Sequence, residues 1–293
     1  MAPLDVPRPV PARLPPAGLA LIVLSASSYG IQPIFMRFAY DAGAGTMTLL
    51  ALRYLLVAVV LAIVVRLSGR SFLLPAGRRM AGVATGGYFA VTGSAYLGSV
   101  RLIPVSFAVL LAFTYPVLVA IVSWLRGEPM GVRRVGALCA AFAGLALALG
   151  IEIGELDPVG VALGLVSAVA YTVAIFHLGV AARDTDPLVV NLHAMATCAL
   201  IFIPLTVITG GLDIPSTPLG VVGVLGMTVA YFTGVVAFFA ALPRIGAVKT
   251  AFLSQLEPVV SIVSAVLILR EPLTAIQDLG VVLLFAAVVI LSR

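Results

Sequence analysis

The chain has 293 residues, of which 62% are hydrophobic and only 10% are charged, and its mean hydropathy is +1.20. A soluble domain carries about 25% charged residues, so this composition excludes a globular protein whose surface is covered by polar groups in water. The formal net charge of +5 does not indicate nucleic-acid binding, because the basic residues are distributed between apolar stretches and form no single patch.

The predicted elements begin with a tail. Residues 1–16 contain six prolines, two arginines and one aspartate, which predicts a disordered cytoplasmic tail. Apolar stretches of about 20 residues follow, each long enough for a helix to cross a hydrocarbon core of about 30 Å. They lack the alternation of a membrane β-barrel, so we predict an all-α integral membrane protein. Ten transmembrane helices are predicted at 17–39, 46–67, 79–99, 103–125, 132–150, 158–181, 187–210, 217–242, 246–269 and 273–292.

Charge distribution predicts the orientation. If the N-terminus is cytoplasmic, thirteen of the 17 Lys and Arg residues fall on the cytoplasmic side. The four others are Arg37, Arg53, Arg101 and Arg270. Because cytoplasmic loops of membrane proteins are enriched in Lys and Arg, both termini are predicted to be cytoplasmic, in a bacterial-type inner (plasma) membrane.

An internal repeat relates the two halves of the chain. Ser25-Ala26 with Tyr29 recurs as Ser167-Ala168 with Tyr171, Tyr115-Pro116 recurs as Glu257-Pro258, and Gly127-Glu128-Pro129 recurs as Arg270-Glu271-Pro272. The first two matches are shifted by 142 residues and the third by 143. The predicted units are 17–150 and 151–293, with five helices each. Because five is an odd number, the second unit enters the membrane with the opposite orientation to the first. Inverted repeats are typical of secondary transporters with a midplane site; a duplication without a transport role is the alternative.

These motifs resemble a known family. Gln255-Leu256-Glu257-Pro258, followed by Arg270-Glu271-Pro272-Leu273, resembles the second repeat of EamA-type proteins in the drug/metabolite transporter superfamily. Tyr115-Pro116 with Gly127-Glu128-Pro129 is similar to the first repeat, and Arg53-Tyr54 is similar to an Arg-aromatic pair of its second helix. The resemblance implies ten helices, as two inverted five-helix repeats around a central cavity. It also implies export of metabolites, and it is greatest for bacterial exporters of aromatic and neutral amino acids.

A polar stripe on the first helix is the first candidate site. Ser25, Ser28, Tyr29 and Gln32 follow the i, i+3, i+4, i+7 spacing of one helix face. Ser167 and Tyr171 occupy the matching positions of helix six. Two interpretations are open: a cavity wall that binds a zwitterionic solute, or hydrogen bonding between helices.

Charged residues inside predicted helices are the second candidate. Glu257 lies about eleven residues into helix nine, or roughly 16 Å at 1.5 Å per residue, and therefore near the bilayer midplane. It is a candidate for a substrate ammonium or for a coupling proton, and the alternative is a neutral or paired glutamate beside Pro258. Arg53 is a candidate for a substrate carboxylate, for an ion pair with Glu257, or for a side chain that extends to the interface. Gln255 lies beside Glu257 and is included in the candidate site.

Further aromatic and proline residues complete the prediction. Tyr88, Tyr96 and Tyr115 are candidates for stacking on an apolar or aromatic solute. Pro33, Pro116 and Pro258 are predicted to kink their helices. His177, Asn191 and His193 lie near helix ends, where we expect the histidines to have structural or interfacial roles.

Several function classes are disfavoured by missing motifs. The sequence contains no HExxH helix, no GxSxG turn and no P-loop, so we expect no enzyme, no metal site, no cofactor and no ATP-driven pump. Cys139 and Cys198 are expected to be buried small side chains. A phosphate-sugar carrier would need more deep Lys or Arg residues. The expected partners are a small-molecule substrate and the lipid bilayer, with protons as a candidate coupling ion; a multidrug exporter and a channel stay as alternatives.

Overall fold

The computed structural model describes residues 15–128, 131–150, 156–182, 185–210, 212–270 and 273–292, and these ranges contain helices and no strand. The α-helices are α1 (Pro16–Asp41), α2 (Thr46–Leu67), α3 (Arg79–Leu102), α4 (Val105–Ala112), α5 (Tyr115–Leu125), α6 (Val132–Ala148), α7 (Pro158–Ala181), α8 (Pro187–Thr209), α9 (Pro218–Ile245), α10 (Ala247–Leu253), α11 (Leu256–Ser264) and α12 (Ala275–Ser292). A 3₁₀ turn, Ala76–Arg78, precedes α3, and a π-helical turn, Ala265–Leu269, extends α11. Residues 1–14 of the predicted tail lie outside the described residues.

Three helices of the second half begin with the same local chemistry. The residues before α7, α8 and α9 are Asp157, Asp186 and Thr217, and each side chain accepts a hydrogen bond from the first turn of its helix. A proline follows each cap, where the missing N–H has no intrahelical partner in any case. These caps explain why the predicted starts agree with the structure to within one residue.

The helices have the length and composition of membrane spans. Within the described residues, seven helical segments are long and apolar enough to cross a bilayer, and two shorter apolar helices accompany them. Large apolar side chains such as Leu200, Ile208 and Leu267 point outward, with exposed fractions of 74%, 81% and 73%. Because exposed apolar surface of this extent is stable only in lipid, the chain is a multi-pass membrane protein. The count of ten crossings stays a prediction.

Two predicted helices are interrupted. The predictions over 103–125 and 246–269 agree with two helical segments, Val105–Leu125 and Ala247–Leu269, each long and apolar enough to cross a membrane. Within the first, α4 ends at Ala112 and α5 begins at Tyr115, and within the second, α10 and α11 are separated by Ser254 and Gln255. A proline ring clashes with the carbonyl four residues earlier, and the residues four before Pro116 and Pro258 lie at the two breaks. These two prolines therefore interrupt their helices, whereas Pro33 lies inside uninterrupted α1.

The most extensive helix pairs are α1 with α9, α3 with α7, α6 with α12, and α2 with α8. The last two pairs join helices at matching positions of the two sequence repeats, and both are antiparallel. For α2 and α8, Thr206 donates to the carbonyl of Met47 at 3.1 Å, and Arg70 beyond the other end of α2 pairs with Asp186. Below, the Asp41 side is the end of the bundle at which α1 ends, and the Arg66 side is the end at which α2 ends.

Contacts between the halves are reciprocal. The Ser25 hydroxyl donates to the carbonyl of Gly234 at 2.8 Å, and the Ser167 hydroxyl donates to the carbonyl of Thr92 at 3.0 Å. Both the donor and the acceptor are shifted by 142 residues between the two bonds. The sequence repeat is therefore also a repeat of helix packing.

The two ends of the bundle are packed differently. The largest cluster of buried apolar side chains fills most of the Arg66 half, where it includes Ile22, Leu61, Leu178, Leu242 and Ile245. The clusters on the Asp41 side are smaller. The Arg66 half is thus closed by tight apolar packing.

Candidate functional site

Arg53 lies in a cage of aromatic rings near the centre of the bundle. Its guanidinium carbon is 4.3 Å from the ring centroid of Tyr231 and 4.7 Å from that of Tyr54, and its Nη2 donates to the Tyr54 hydroxyl at 3.1 Å. Tyr54 in turn stacks on Phe202 at 5.4 Å. Guanidinium groups are stabilised over aromatic faces, so α2, α8 and α9 together hold this cation in place.

Glu257 lies in the first turn of α11, directly after the break from α10. α11 approaches α1 closely at this point because Gly30 has no side chain: a Cβ there would lie 2.6 Å from the Glu257 carbonyl oxygen. The equivalent contact in the other half is made by Thr172, whose hydroxyl is 3.5 Å from the Tyr115 carbonyl oxygen. Packing between repeats therefore positions Glu257 on α11 and Tyr115 on α5.

Tyr29 lies on α1 between these two parts of the site. Its ring is 5.5 Å from that of Tyr231, which covers Arg53, and the next residue, Gly30, lies against the backbone of Glu257. Gly234 makes room for this ring, since a Cβ there would be 2.9 Å from two ring atoms. The tyrosine is half-buried, as are both charged residues.

No ion pair joins Arg53 to Glu257. The ion pairs found among the described residues are Arg37–Asp41 and Arg70–Asp186. The Nε of Arg53 is also buried without a hydrogen-bond partner. The ion-pair interpretation of these two residues is therefore not supported, and both side chains are partly accessible inside the protein.

More tyrosines surround Glu257. Tyr115 and Tyr171 lie in electrostatic reach of it, and their rings meet edge-to-face at 4.6 Å. Tyr96 is near Glu257 and lies on α3 toward the Asp41 side. Of the predicted residues, the structure brings together Tyr29, Arg53, Tyr96, Tyr115, Tyr171 and Glu257.

Three of the predicted serines lie outside this cluster. Ser25 and Ser167 are each 1% exposed and use their hydroxyls to bond the neighbouring helix, which is the second of the two interpretations left open by the sequence. Ser28 lines an apolar groove between α1 and α9 together with Phe35 and Leu225. The helical spacing places these serines in one group with Tyr29 although their roles differ, because α1 contacts both α9 and α11.

The predicted amides are buried without hydrogen-bond partners, and Tyr88 contacts a histidine. Gln32 is buried and its Nε2 has no partner, and Gln255 is fully buried with neither amide atom hydrogen-bonded. Tyr88 meets His177 edge-to-face at 5.4 Å, and the Nδ1 of His177 is 3.1 Å from the Thr85 hydroxyl. This histidine thus has a structural contact between α3 and α7.

Sequence reasoning did not propose Tyr54, Tyr231 or Phe202 as site residues. The Arg53-Tyr54 pair was noticed as part of a motif, but Tyr231 has phenylalanine, Phe89, at its repeat-equivalent position, so the repeat gave no signal for it. Only the packing of α2 against α8 and α9 brings these rings to Arg53.

This arrangement can bind a solute that carries both charges. A planar guanidinium held by its faces presents its edge to a carboxylate, and the glutamate side chain offers a partner for an ammonium group. The tyrosine rings between them offer an apolar wall. In the described part of the chain, no group of three or more His, Cys, Asp or Glu side chains could hold a metal ion.

Comparisons with known proteins agree with this architecture. No curated protein matches the chain. A crystal structure of a protein that is 18% identical superposes with a TM-score of 0.78, covering 93% of this chain and 95% of the other, so the two share a fold. The model of the EamA-like transporter family matches twice, at residues 16–150 and 158–293. The chain therefore belongs to the EamA-like transporter family and is a membrane transporter of small molecules.

Proposed function

We propose that this transporter exports neutral amino acids, with a preference for aromatic ones, by alternating access. The observation that carries the proposal is the presence of an arginine and a glutamate, Arg53 and Glu257, near the centre of the bundle, with no ion pair recorded for either in the described part of the chain. A buried charge in a membrane protein costs about 2.5–3.5 kcal/mol at the helix centre on insertion scales. Two ionisable side chains that are kept here without pairing with each other fit a zwitterion, which would pair with both.

The shape of the site favours this solute class over others. A phosphate ester would need several cations, whereas the central cluster contains one arginine. A cationic drug would use Glu257 but would leave Arg53 facing a second positive charge. An α-amino acid supplies a carboxylate for Arg53 and an ammonium group for Glu257, and its side chain can rest on the tyrosine rings.

Transport by alternating access requires two half-bundles that can move about the site. The antiparallel pairing of α2 with α8 and of α6 with α12 supports the arrangement of two inverted five-helix repeats with ten crossings. The breaks before Pro116 and Pro258 provide discontinuous helices beside the charged cluster. The arrangement fits a solute site at the centre of the bundle.

The charge distribution supports a cytoplasmic Arg66 side. Arg66, Arg70, Arg78, Arg79 and Arg244 are all at or near helix ends on this side. Asp41, Asp157 and Asp213 lie at the opposite end. Under the positive-inside rule the termini are then cytoplasmic, and the proposed location is a bacterial-type inner membrane.

Counterflow in proteoliposomes tests the proposed function. Vesicles are loaded with one amino acid and challenged with radiolabelled phenylalanine, leucine, lysine or aspartate, with and without a proton gradient. We expect exchange of phenylalanine and leucine, and little exchange of the two charged amino acids. Exchange of cationic drugs with no exchange of any amino acid would instead indicate a multidrug exporter, and unsaturable flux would indicate a channel.

A further inference from the structure

Two arginines from different parts of the chain lie against the last two turns of α7, on the Arg66 side. The guanidinium carbon of Arg126, directly after α5, is 4.4 Å from the ring centroid of Phe176. Arg78, at the end of the 3₁₀ turn before α3, donates from its Nη1 to the carbonyl of Val180 at 3.2 Å. Residues four apart are neighbours on a helix surface, so the contacts with Phe176 and Val180 bring both cations to one end of α7.

Neither of these cations takes part in an ion pair among the residues that the structure describes. Arg126 is exposed and Arg78 is half-buried. A guanidinium carries five N–H donors and no acceptor. The contact with Val180 uses one donor of Arg78, and Arg126 lies over the ring of Phe176. Donors therefore remain on both side chains for an anion.

An apolar stripe extends along α7 from these arginines toward the Asp41 side. The α7 stripe consists of Val166, Val169, Val173, Phe176 and Val180, which follow the i, i+3, i+7, i+10, i+14 spacing of one helix face. The four valines are 39–51% exposed, whereas the opposite face of α7 is buried against α3, α4 and α5. The α7 stripe is about 21 Å long at a rise of about 1.5 Å per residue, which is more than half of a hydrocarbon core of about 30 Å.

We propose that the α7 stripe and the two arginines bind one anionic phospholipid, whose phosphate contacts Arg78 and Arg126 and whose acyl chain lies along the stripe. Guanidinium groups form short, charge-assisted hydrogen bonds with phosphate oxygens, and basic sites between helices at the cytoplasmic membrane surface bind anionic head groups. A phospholipid presents its phosphate at the interface and its apolar chains below, which is the order of the arginines and the α7 stripe. The site does not include Arg53 or Glu257, so the inference does not rest on the proposed transport function.

A second copy of the chain fits this surface less well than a lipid does. A symmetric dimer built on the α7 stripe would place the same patch of both copies face to face. Because every copy has the same orientation in the membrane, the arginines of both copies would meet at one end of the interface, where like charges repel. A soluble phosphate ester would use the arginines but would leave the α7 stripe without a role.

Native mass spectrometry of the purified, delipidated transporter tests the site. The protein is titrated with dioleoyl phosphatidylglycerol or dioleoyl phosphatidylcholine, which have the same chains and differ in the head group. We expect wild type to bind phosphatidylglycerol at least about tenfold more tightly, because each of two basic side chains attracts the anionic lipid. The pair Arg78→Gln/Arg126→Gln should lose this preference. The matched control pair Arg66→Gln/Arg244→Gln removes the same charge on the same side and should keep it, because it leaves both contacts on α7 intact.

Three outcomes of this experiment would overturn the site. Equal binding of the two lipids by wild type would show that the surface does not recognise an anion. Equal loss of the preference in both variant pairs would show a diffuse attraction of anionic lipid to the basic side of the protein. A dimer that excludes lipid would assign the α7 stripe to a second copy of the chain.

Wild type alone tests whether the ligand is a lipid, so this second experiment does not depend on the folding of any variant. Dihexanoyl phosphatidylglycerol has the same head group with chains too short to follow the α7 stripe, and glycerol 3-phosphate has no chains. We expect the short-chain lipid to bind at least about tenfold more weakly than the dioleoyl lipid, because each buried methylene group contributes to binding. We expect glycerol 3-phosphate not to displace the dioleoyl lipid. Equal binding of the two lipids, or displacement by glycerol 3-phosphate, would indicate a site for a soluble phosphate and would overturn the proposal.

Discussion

At the scale of single residues, the charged cluster is defined by what holds Arg53. The guanidinium is planar and lies over two aromatic rings, with one N–H bonded to Tyr54. A lysine ammonium has a compact charge and no planar fork, so it cannot reproduce both contacts. Recognition of a carboxylate here depends on geometry as well as charge.

Arg53→Lys should therefore impair transport even though it keeps the positive charge. We expect KM for phenylalanine to rise at least about tenfold, since bidentate charge-assisted hydrogen bonds are replaced by a single point contact. The measurement is the initial rate of exchange against phenylalanine concentration. If Arg53→Lys kept the KM of the wild type, Arg53 would serve only to balance charge.

Ser25 and Ser167 give a contrasting prediction. Their hydroxyls bond backbone carbonyls of neighbouring helices, so Ser25→Ala and Ser167→Ala should each lower stability by about 0.5–1.5 kcal/mol. The exchange rate per folded molecule should stay close to that of the wild type. Thermal unfolding in detergent and counterflow on the same samples measure the two effects separately. A large loss of exchange with an unchanged unfolding temperature would show that these serines contact the solute.

The sequence could identify site residues only where a charged side chain lies within an apolar stretch. Arg53 and Glu257 could be selected because charge inside an apolar stretch is costly. The hydroxyls of Ser25 and Tyr29 could not be assigned to different roles, because helical periodicity places both on one face. Tyr231 could not be found at all, since nothing in its local sequence distinguishes it from the other tyrosines of apolar helices.

At the scale of helices, close approach depends on particular glycines. α6 and α12 pack with Gly144 and Gly280 facing each other: a Cβ at Gly144 would lie 2.6 Å from the backbone nitrogen of Leu284. Gly136 lies in the same helix, is exposed, and has open space around its Cβ position. Alanine substitutions at these two positions therefore distinguish the effect of close helix packing from the effect of helix propensity.

Gly144→Ala should destabilise the protein and Gly136→Ala should not. The added methyl group at residue 144 meets backbone atoms, and overpacking of this kind costs about 1–3 kcal/mol. At residue 136 the alanine removes backbone freedom from the unfolded chain and stabilises the helix by up to about 1 kcal/mol. Chemical denaturation of both variants checks the prediction, and equal stabilities would show that α6 and α12 do not pack as described.

The sequence predicts the positions of the helices better than the breaks within them. Helix positions agree closely with the apolar stretches, because lipid requires a helix wherever a long apolar segment occurs. The breaks before Pro116 and Pro258 were missed because each apolar stretch continues through them. The proline rule alone would have placed them, since the fourth residue before each proline lies at the break.

At the scale of the whole molecule, the repeat determines the packing. The shift of 142 residues found in sequence recurs in hydrogen bonds between α1 and α9 and between α3 and α7. A sequence repeat cannot show which state each half occupies, because both states satisfy the same motifs.

Topology mapping tests the opposed arrangement of the halves. Reporter fusions within 66–79 should face the compartment that contains the termini, and fusions at 213 should face the opposite one, as the positive-inside rule requires. The matched control is a fusion at 244, which should agree with 66–79. Detection of 66–79 and 213 in one compartment would contradict the inverted bundle.

The most direct test of the central claim uses solutes that carry one charge each. Phenethylamine lacks the carboxylate of phenylalanine and phenylpropionate lacks the ammonium group, and both are measured as competitors of phenylalanine exchange in wild type, Arg53→Met and Glu257→Gln. Removal of a charged partner costs at least about tenfold in affinity for the solute that used it. We predict that Arg53→Met weakens competition by phenylpropionate and leaves competition by phenethylamine unchanged, whereas Glu257→Gln does the reverse. Equal weakening of both competitors by each variant would contradict a site in which opposite charges hold opposite ends of one molecule.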